Sequence, residues 1–218
     1  MSRGRSRSSE APAQGSTFRE NVESLAWAVV LMLVVRVFLL QAFRIPSESM
    51  RDTLLVGDFL FVTKLDYGAK LPFTHIRLPG LRQPRTGDII VFQWPPDPTQ
   101  DFIKRCIAVG GETVEVRHRQ VLVNGRPLDE PYVKHTQPNE EPAGLSPRDN
   151  LAAVTVPPGH LFMMGDNREN SADSRYWGYV PMDLVKGRAL FIYFSTASKH
   201  WWDMPFFVRW DRLFRVIR

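Results

Sequence analysis

The sequence predicts a mainly β protein, with one N-terminal membrane-spanning helix followed by an all-β domain with long loops. Three observations lead there. Residues 25–40 read LAWAVVLMLVVRVFLL, an apolar run broken by one charge, Arg36. From Pro46 onward the apolar residues come in short runs closed by Gly, Asp, Asn or Pro. Seventeen prolines in 218 residues, with few long helical periods, leave little place for further long helices.

A membrane span needs about 20 mainly apolar residues. Val22 to Phe43 supplies them if Glu23 and Ser24 lie at one interface and Gln41 at the other, with Arg36 close enough to an interface to snorkel. No small-x-small cleavage site follows the run, which argues for an uncleaved anchor over a cleaved leader. Arg3, Arg5, Arg7 and Arg19 precede it, while Arg44 and Arg51 follow, so the positive-inside rule places the N-terminus in the cytoplasm and the remainder outside. The expected division is a disordered basic tail over 1–20, an anchor over 21–43 and an extracytoplasmic domain over 44–218, of roughly 170 residues and thus large enough for one core.

Strands are expected at Phe59–Val62, at Ile89–Trp94 after Gly87-Asp88, and at Asp101–Val109 before Gly110-Gly111. Thr113–Arg117 alternates in polarity, Gln120–Val123 follows a tight turn, and Asn124-Gly125 is a strong hairpin signal. Leu161–Met164 and Ala189–Phe194 are the last two apolar runs. The Pro- and charge-rich stretch 127–158 reads as a loop or small subdomain.

The net charge of +5 is spread along the chain, with no zinc-finger spacing and no basic helix carrying periodic aromatics, so nucleic acid is not an expected partner and an anionic lipid surface is. A single cysteine, Cys106, precludes an internal disulfide, and five scattered histidines show no ligand spacing; no metal or other cofactor is expected.

Three segments bear chemistry. Pro46-Ser47-Glu48-Ser49-Met50 follows the apolar run so closely that even a fully extended chain puts Ser49 within ~30 Å of Leu40. A serine hydroxyl needs a neighbouring base to attack anything; alone, Ser49 reads as a turn or cap serine sooner than as a catalyst. Lys104 sits in Phe102-Ile103-Lys104-Arg105-Cys106-Ile107, an otherwise buriable strand where alternation turns either Lys104 or Arg105 inward. Burial disfavours a charged lysine, and a base working near pH 8 in place of ~10.4 requires about 3.3 kcal/mol of differential stabilisation. The third segment, residues 164–178 (MGDNRENSADSRYWG), is dense in loop-bracing polar groups and ends in an aromatic pair that can anchor it on a core.

In this order, behind an N-terminal span, the three segments resemble the bacterial type I signal peptidases, Ser/Lys-dyad serine proteases. Ser47-Glu48-Ser49-Met50 is similar to that family's serine box, Lys104-Arg105 with Gly110-Gly111-Glu112 to its lysine box, and Gly165-Asp166-Asn167-Arg168 through Ser171-Ala172-Asp173-Ser174-Arg175 to its most diagnostic box. The family usually has proline where this chain has Asp52 and often where it has Gly110. The resemblance implies a fold of coiled antiparallel sheets with a reduced accessory β subdomain over approximately 112–160. It implies Ser49 as nucleophile and Lys104 as general base, an oxyanion site from Ser47 and Ser49, and Ser171, Asp173 and Arg175 as supporting residues. It also implies shallow apolar pockets formed from Phe43, Ile45, Met50, Leu54, Phe102 and Ile103, positions for which a core role is an equal alternative. The partners implied are secretory preproteins, cut after Ala-x-Ala-like sites, and the lipid bilayer of the bacterial plasma membrane, near the protein translocation channel. The aromatic and basic run Trp201–Trp210 is expected to seat the domain on lipid or to pack as a last strand. Two alternatives stay open on sequence alone: another Ser/Lys protease of similar fold, and a membrane-anchored binding protein without catalysis.

Overall fold

The computed structural model describes residues 14–70, 74, 76–142, 144–198 and 207–217. The chain forms two compact units, 1–36 and 37–218. Helix α1 (Gln14–Val34) lies in the first and is followed by a π-helical turn, Val35–Leu39, within which the division falls. Leu25, Trp27 and Leu31 on α1 are each about two-thirds exposed.

The expected anchor differs at both ends. Residues 14–20, expected to be disordered, are already helical, while residues 1–13 of the expected tail lie outside the described residues. The apolar run outlasts the helix: its end forms the π-helical turn and then strand β1 (Leu40–Arg44). Helix and apolar run are therefore out of step, and no helix among the described residues is long and apolar enough to cross a membrane. Strand formation is favoured there because β2 (Asp58–Thr63) offers β1 an antiparallel partner, with Phe43 opposite Leu60.

The second unit contains two antiparallel sheets. In the larger, β1 and β2 are followed by β11 (Val185–Ser195), β3 (Ile89–Trp94), β4 (Asp97–Val109), β9 (His160–Met164) and β10 (Val180–Pro181), in the order β1-β2-β11-β3-β4-β9-β10. The smaller has the order β7-β6-β5-β8, from β5 (Thr113–Arg117), β6 (Gln120–Val123), β7 (Arg126–Pro127) and β8 (Leu151–Thr155). Asn124 and Gly125 both take positive φ, 52° and 74°, as the turn between β6 and β7 requires. Of the aromatic C-terminal run, Trp201–Phe206 lie outside the described residues; Phe207 and Trp210 are exposed.

Two core clusters position the site. Ile45, Met50 and Leu54 pack with Leu60, Val62, Ile103 and Ile192, so the turn around Ser49 is pinned from below by side chains that are wholly or almost wholly buried. Each such burial stabilises by roughly 1.5–3 kcal/mol. On the other side, Ile90, Phe92, Cys106 and Met163 form a second cluster, on which Phe102 and Trp177 rest. Trp177 lies 6.0 Å from the Phe92 ring, which fixes the end of the 164–178 loop against the sheet.

Candidate active site

Strand β4 is paired along both edges, with β3 and β9, and both of its faces pack into core: Ile103 into the first cluster, Phe102 and Cys106 into the second. Lys104 and Arg105 are consequently both buried, on opposite faces. Alternation predicted one inward side chain; the sheet provides a polar partner for each. Lys104 Nζ lies 2.5 Å from Ser49 Oγ, within hydrogen-bonding reach. Arg105 forks onto the buried Asp166 carboxylate through Nε (2.8 Å) and Nη2 (2.7 Å).

Ser49 lies in a turn that leads into Leu54, whose N–H donates to the Met50 carbonyl at 2.7 Å. The loop after β9 holds this turn from outside. The Asn167 N–H donates to the Ser49 carbonyl (3.1 Å), the Asn167 side chain to the Glu48 carbonyl (3.2 Å), and Thr53 Oγ1 to Asp166 (2.6 Å). Gly165 is the point of closest approach: a Cβ there would stand 2.6 Å from the Ser49 carbonyl oxygen and 2.3 Å from Ser171 Oγ, so only glycine fits without moving the turn. Asp52 takes φ 75°, which proline cannot adopt, and its carboxylate meets Lys134 Nζ at 3.0 Å in a half-exposed ion pair.

Burial lowers the Lys104 pKa to about 8; Asp173 and Asp166 partly oppose this, and Arg175 adds to it. The lysine is therefore neutral in a large fraction of molecules at mildly alkaline pH. Its ammonium form, though desolvated, is not abandoned, because two carboxylates remain near enough to be felt. Asp173 is fully buried. Desolvation opposes its ionisation, but the Arg175 guanidinium and the Gly165 N–H outweigh that and hold its carboxyl below the ordinary range. Arg175 donates to Asp173 from Nε (2.9 Å) and Nη2 (2.8 Å), and to the carbonyls of Arg148 and Arg168 at 2.7 Å each.

Ser47 Oγ is 3.4 Å from Ser49 Oγ. Ser171 is also buried at this site, yet no hydrogen bond joins it to Lys104. Its hydroxyl has no partner of good geometry, and the charged group it influences is Asp173. A cleft of about 400 Å³ opens on the dyad, lined by Ser47, Ser49, Phe102, Ile103 and Lys104 together with Asn170 and Ala172. Of the expected pocket residues, Phe102 and Ile103 line this cleft. Ile45, Met50 and Leu54 form the core beneath the serine turn, and Phe43 packs on that core. A slightly larger cleft, of about 490 Å³, is bordered by Asp52, Lys134 and Ile217; it does not include the dyad, and chemistry rather than volume selects the site.

Sequence reasoning passed over Arg105, Thr53, Asp166 and Asn167 as structural supports of Ser49. The available signal was a charged residue within an apolar strand, Arg105, and an acid in a Gly-Asp-Asn turn. Nothing local pairs them across 61 residues.

Residues 18–194 match the family model for signal peptidase, peptidase S26. The chain is 40% identical over 196 residues to a probable signal peptidase I-1 of Synechocystis, spanning 87% of this chain and 89% of that one. It is 34% identical over 213 residues to a signal peptidase I of Pseudomonas aeruginosa, spanning 82% and 73%. A signal peptidase I of Leptolyngbya laminosa is 39% identical over 187 residues, spanning 82% and 81%. With a serine and a buried lysine in hydrogen-bonding contact at the mouth of a cleft, and with that likeness running through most of the chain, this protein belongs to the signal peptidase family S26 and is a serine peptidase of the signal peptidase I type.

Proposed function

We propose that the protein is a membrane-bound endopeptidase that removes N-terminal signal peptides from secretory preproteins after Ala-x-Ala-like sites, with Ser49 as nucleophile and Lys104 as general base. The observation that supports this most is the 2.5 Å contact between Ser49 Oγ and a lysine made less basic by burial. As Oγ bonds to the scissile carbonyl carbon, its proton passes to neutral Lys104 Nζ. The carbonyl oxygen becomes an oxyanion, for which the Ser49 N–H and the Ser47 hydroxyl are the donors at hand. Collapse breaks the C–N bond, and Lys104 returns the proton to the departing amine. Water, deprotonated by the same lysine, then releases the acyl group from Ser49.

Asp173 and Asp166 moderate the loss of basicity that burial imposes on Lys104, so the lysine can both take up a proton and give it back near pH 8. Asp173 and Arg175 brace the loop carrying Ser171. Ser171 acts on Lys104 through the Asp173 carboxylate or by a hydroxyl rotation when substrate arrives. Phe102 and Ile103 line the cleft, while Ile45, Met50 and Leu54, with Phe43 packed on them, hold the serine turn from the core; an apolar wall beside the dyad suits small side chains before the scissile bond. The preprotein lies extended beside the Ser49 and Lys104 segments.

The test is cleavage of a purified preprotein in detergent, followed by mass spectrometry across pH 6–10. The expected product ends after an Ala-x-Ala site. The rate rises with pH through about 8 as Lys104 loses its proton, and Ser49→Ala gives no product. A rate flat across that range removes Lys104 from the base's role.

The exposed apolar residues of α1 support an anchor in the apolar stretch 21–43, of which α1 supplies the first part. The N-terminus then lies in the cytoplasm, with the catalytic unit on the far side of the plasma membrane near the translocation channel. Alkaline washing of membranes is expected to leave the full chain in the pellet and to release a chain beginning at Val37. Release of both would exclude the anchor.

A further inference from the structure

The match to the family ends at residue 194, yet a side chain beyond it reaches the serine turn. Arg212 closes the 3₁₀ turn Trp210–Arg212 and is buried. Its Nε donates to Asp58 Oδ1 (3.0 Å), and its Nη2 is shared between Asp58 Oδ2 (2.5 Å) and the Thr53 carbonyl (3.0 Å). Asp58 has no exposed surface; it also accepts from Ser195 Oγ (2.6 Å) and from the Leu55 N–H (2.8 Å). The segment from Ser49 to Leu55 is thus held from two sides. The 165–167 loop grips the Ser49 carbonyl and the Thr53 hydroxyl; Arg212 and Asp58 grip the Thr53 carbonyl and the Leu55 amide.

We infer that Arg212 is a positioning residue for Ser49, acting through the Thr53 carbonyl, and that the C-terminal segment is a working part of the active site. This rests on the proposed function. Lys104 is fixed independently, by β4 in the middle of the sheet, so the dyad depends on the serine turn being delivered to it. Much of the cleft lining, including Phe102 and Ile103, also belongs to β4 and does not depend on Arg212. Releasing Thr53 therefore disturbs the reacting oxygen more than the docking of substrate. A misplacement of about 1 Å at a reacting group costs on the order of 10²-fold in rate.

The experiment uses the full chain in detergent, comparing wild type with Arg212→Lys and Arg212→Gln on one preprotein, at a temperature where near-ultraviolet circular dichroism shows native packing. Lysine keeps the charge but has no fork to serve Asp58 and Thr53 together. The expected result is a kcat lowered about 10-fold in Arg212→Lys and on the order of 10²-fold in Arg212→Gln, KM within about 3-fold, and an unmoved pH midpoint near 8 because the base has not shifted. Hydrogen exchange supplies a readout independent of cleavage: residues 50–56 exchange faster in Arg212→Lys, while β5 and β6 do not.

Unchanged kcat in both variants, with wild type active, overturns the inference alone. A rise in KM without a fall in kcat overturns it too, as does general loss of exchange protection or unfolding of both variants, since Arg212 would then support the fold as a whole. If wild type cleaves no preprotein, the proposed function fails, and unchanged exchange at 50–56 still decides against Arg212.

Discussion

Lys104→Met is expected to abolish the proposed preprotein cleavage and to yield a protein more resistant to heat than the wild type at neutral pH. Loss of activity follows from loss of the base: general acid–base assistance contributes ~10²–10⁴-fold, and without it Ser49 keeps its proton. The gain in stability follows from the same burial that makes the lysine useful. Its pKa is about 8 in the folded chain and 10.5 for an ordinary lysine. Because the folded value is the lower one, the unfolded chain binds more protons between these limits, and wild-type stability rises with pH from about 8 to about 10.5. Below about 8 the folded state bears the full cost of a desolvated ammonium, about 3 kcal/mol at 1.36 kcal/mol per pH unit. Methionine has a similar stem without the charge. The lost hydrogen bond to Ser49 returns about 1 kcal/mol, leaving a net gain of about 2 kcal/mol at pH 7. For a chain of this size that is a rise in Tm of roughly 4–8 °C. Thermal unfolding of both proteins at pH 7 and pH 10.5 checks the sign: the advantage of the variant is present at pH 7 and gone at pH 10.5. A variant less stable than wild type at pH 7 would mean that the lysine is not held at the cost its burial implies.

That trade-off was only half legible in the sequence. An apolar strand containing Lys104-Arg105 shows that one cation or the other faces inward, and the pattern of Phe102, Ile103, Cys106 and Ile107 shows that the strand is buriable. It does not show that the serine turn meets one face of β4 and the Asp166 loop the other, the placement that buries both residues and gives each a different partner. Strands with turn residues at their ends were readable: the runs at Phe59–Val62, Ile89–Trp94, Thr113–Arg117 and Gln120–Val123 fall within or coincide with β2, β3, β5 and β6. β1 was not readable, because Leu40–Arg44 continues an apolar run whose composition suits helix or strand equally; only the edge offered by β2 decides between them. β8 lies in a polar, proline-rich stretch, and Leu151–Thr155 is recruited by pairing with β5, with only Leu151 and Val154 half-buried against a core cluster. The apolar residues around the serine divided in the same way. Phe102 and Ile103 border the cleft, but Ile45, Met50 and Leu54 went to the core, since a turn that must hold a nucleophile still needs fixed side chains beneath it. The supports from Asp166 and Asn167 were invisible because they are pairings between the loop after β9 and the distant serine turn, not set by local pattern.

Arg175→Ala is expected to be the most destabilising single truncation at the site, by about 3–5 kcal/mol, because it strands a buried carboxylate. Asp173 is ionised in the folded state only while Arg175 and the Gly165 N–H compensate its desolvation. Alanine also leaves the carbonyls of Arg148 and Arg168 without the guanidinium that now joins them. The expected fall in Tm is roughly 6–20 °C at pH 7. The pH dependence identifies the cause. In wild type the Asp173 pKa is depressed, so its contribution to stability is present above the ordinary carboxylate range and is lost as the pH falls through the folded value. In Arg175→Ala the Gly165 N–H still holds the carboxylate, but burial, the largest influence, is no longer offset by a guanidinium and pushes the pKa upward, so the carboxyl takes up a proton as the pH falls and the deficit relative to wild type narrows. A second substitution separates charge from packing: Asp173→Asn combined with Arg175→Met removes both charges while keeping most of the volume, and recovers much of the lost stability, as replacement of a buried ion pair by neutral groups commonly does. Thermal melts of the single and double variants at pH 7 and pH 5 decide the matter. If the double variant is as unstable as Arg175→Ala, the guanidinium matters chiefly as a tie between the Arg148 and Arg168 backbones, and the pair with Asp173 is secondary to it.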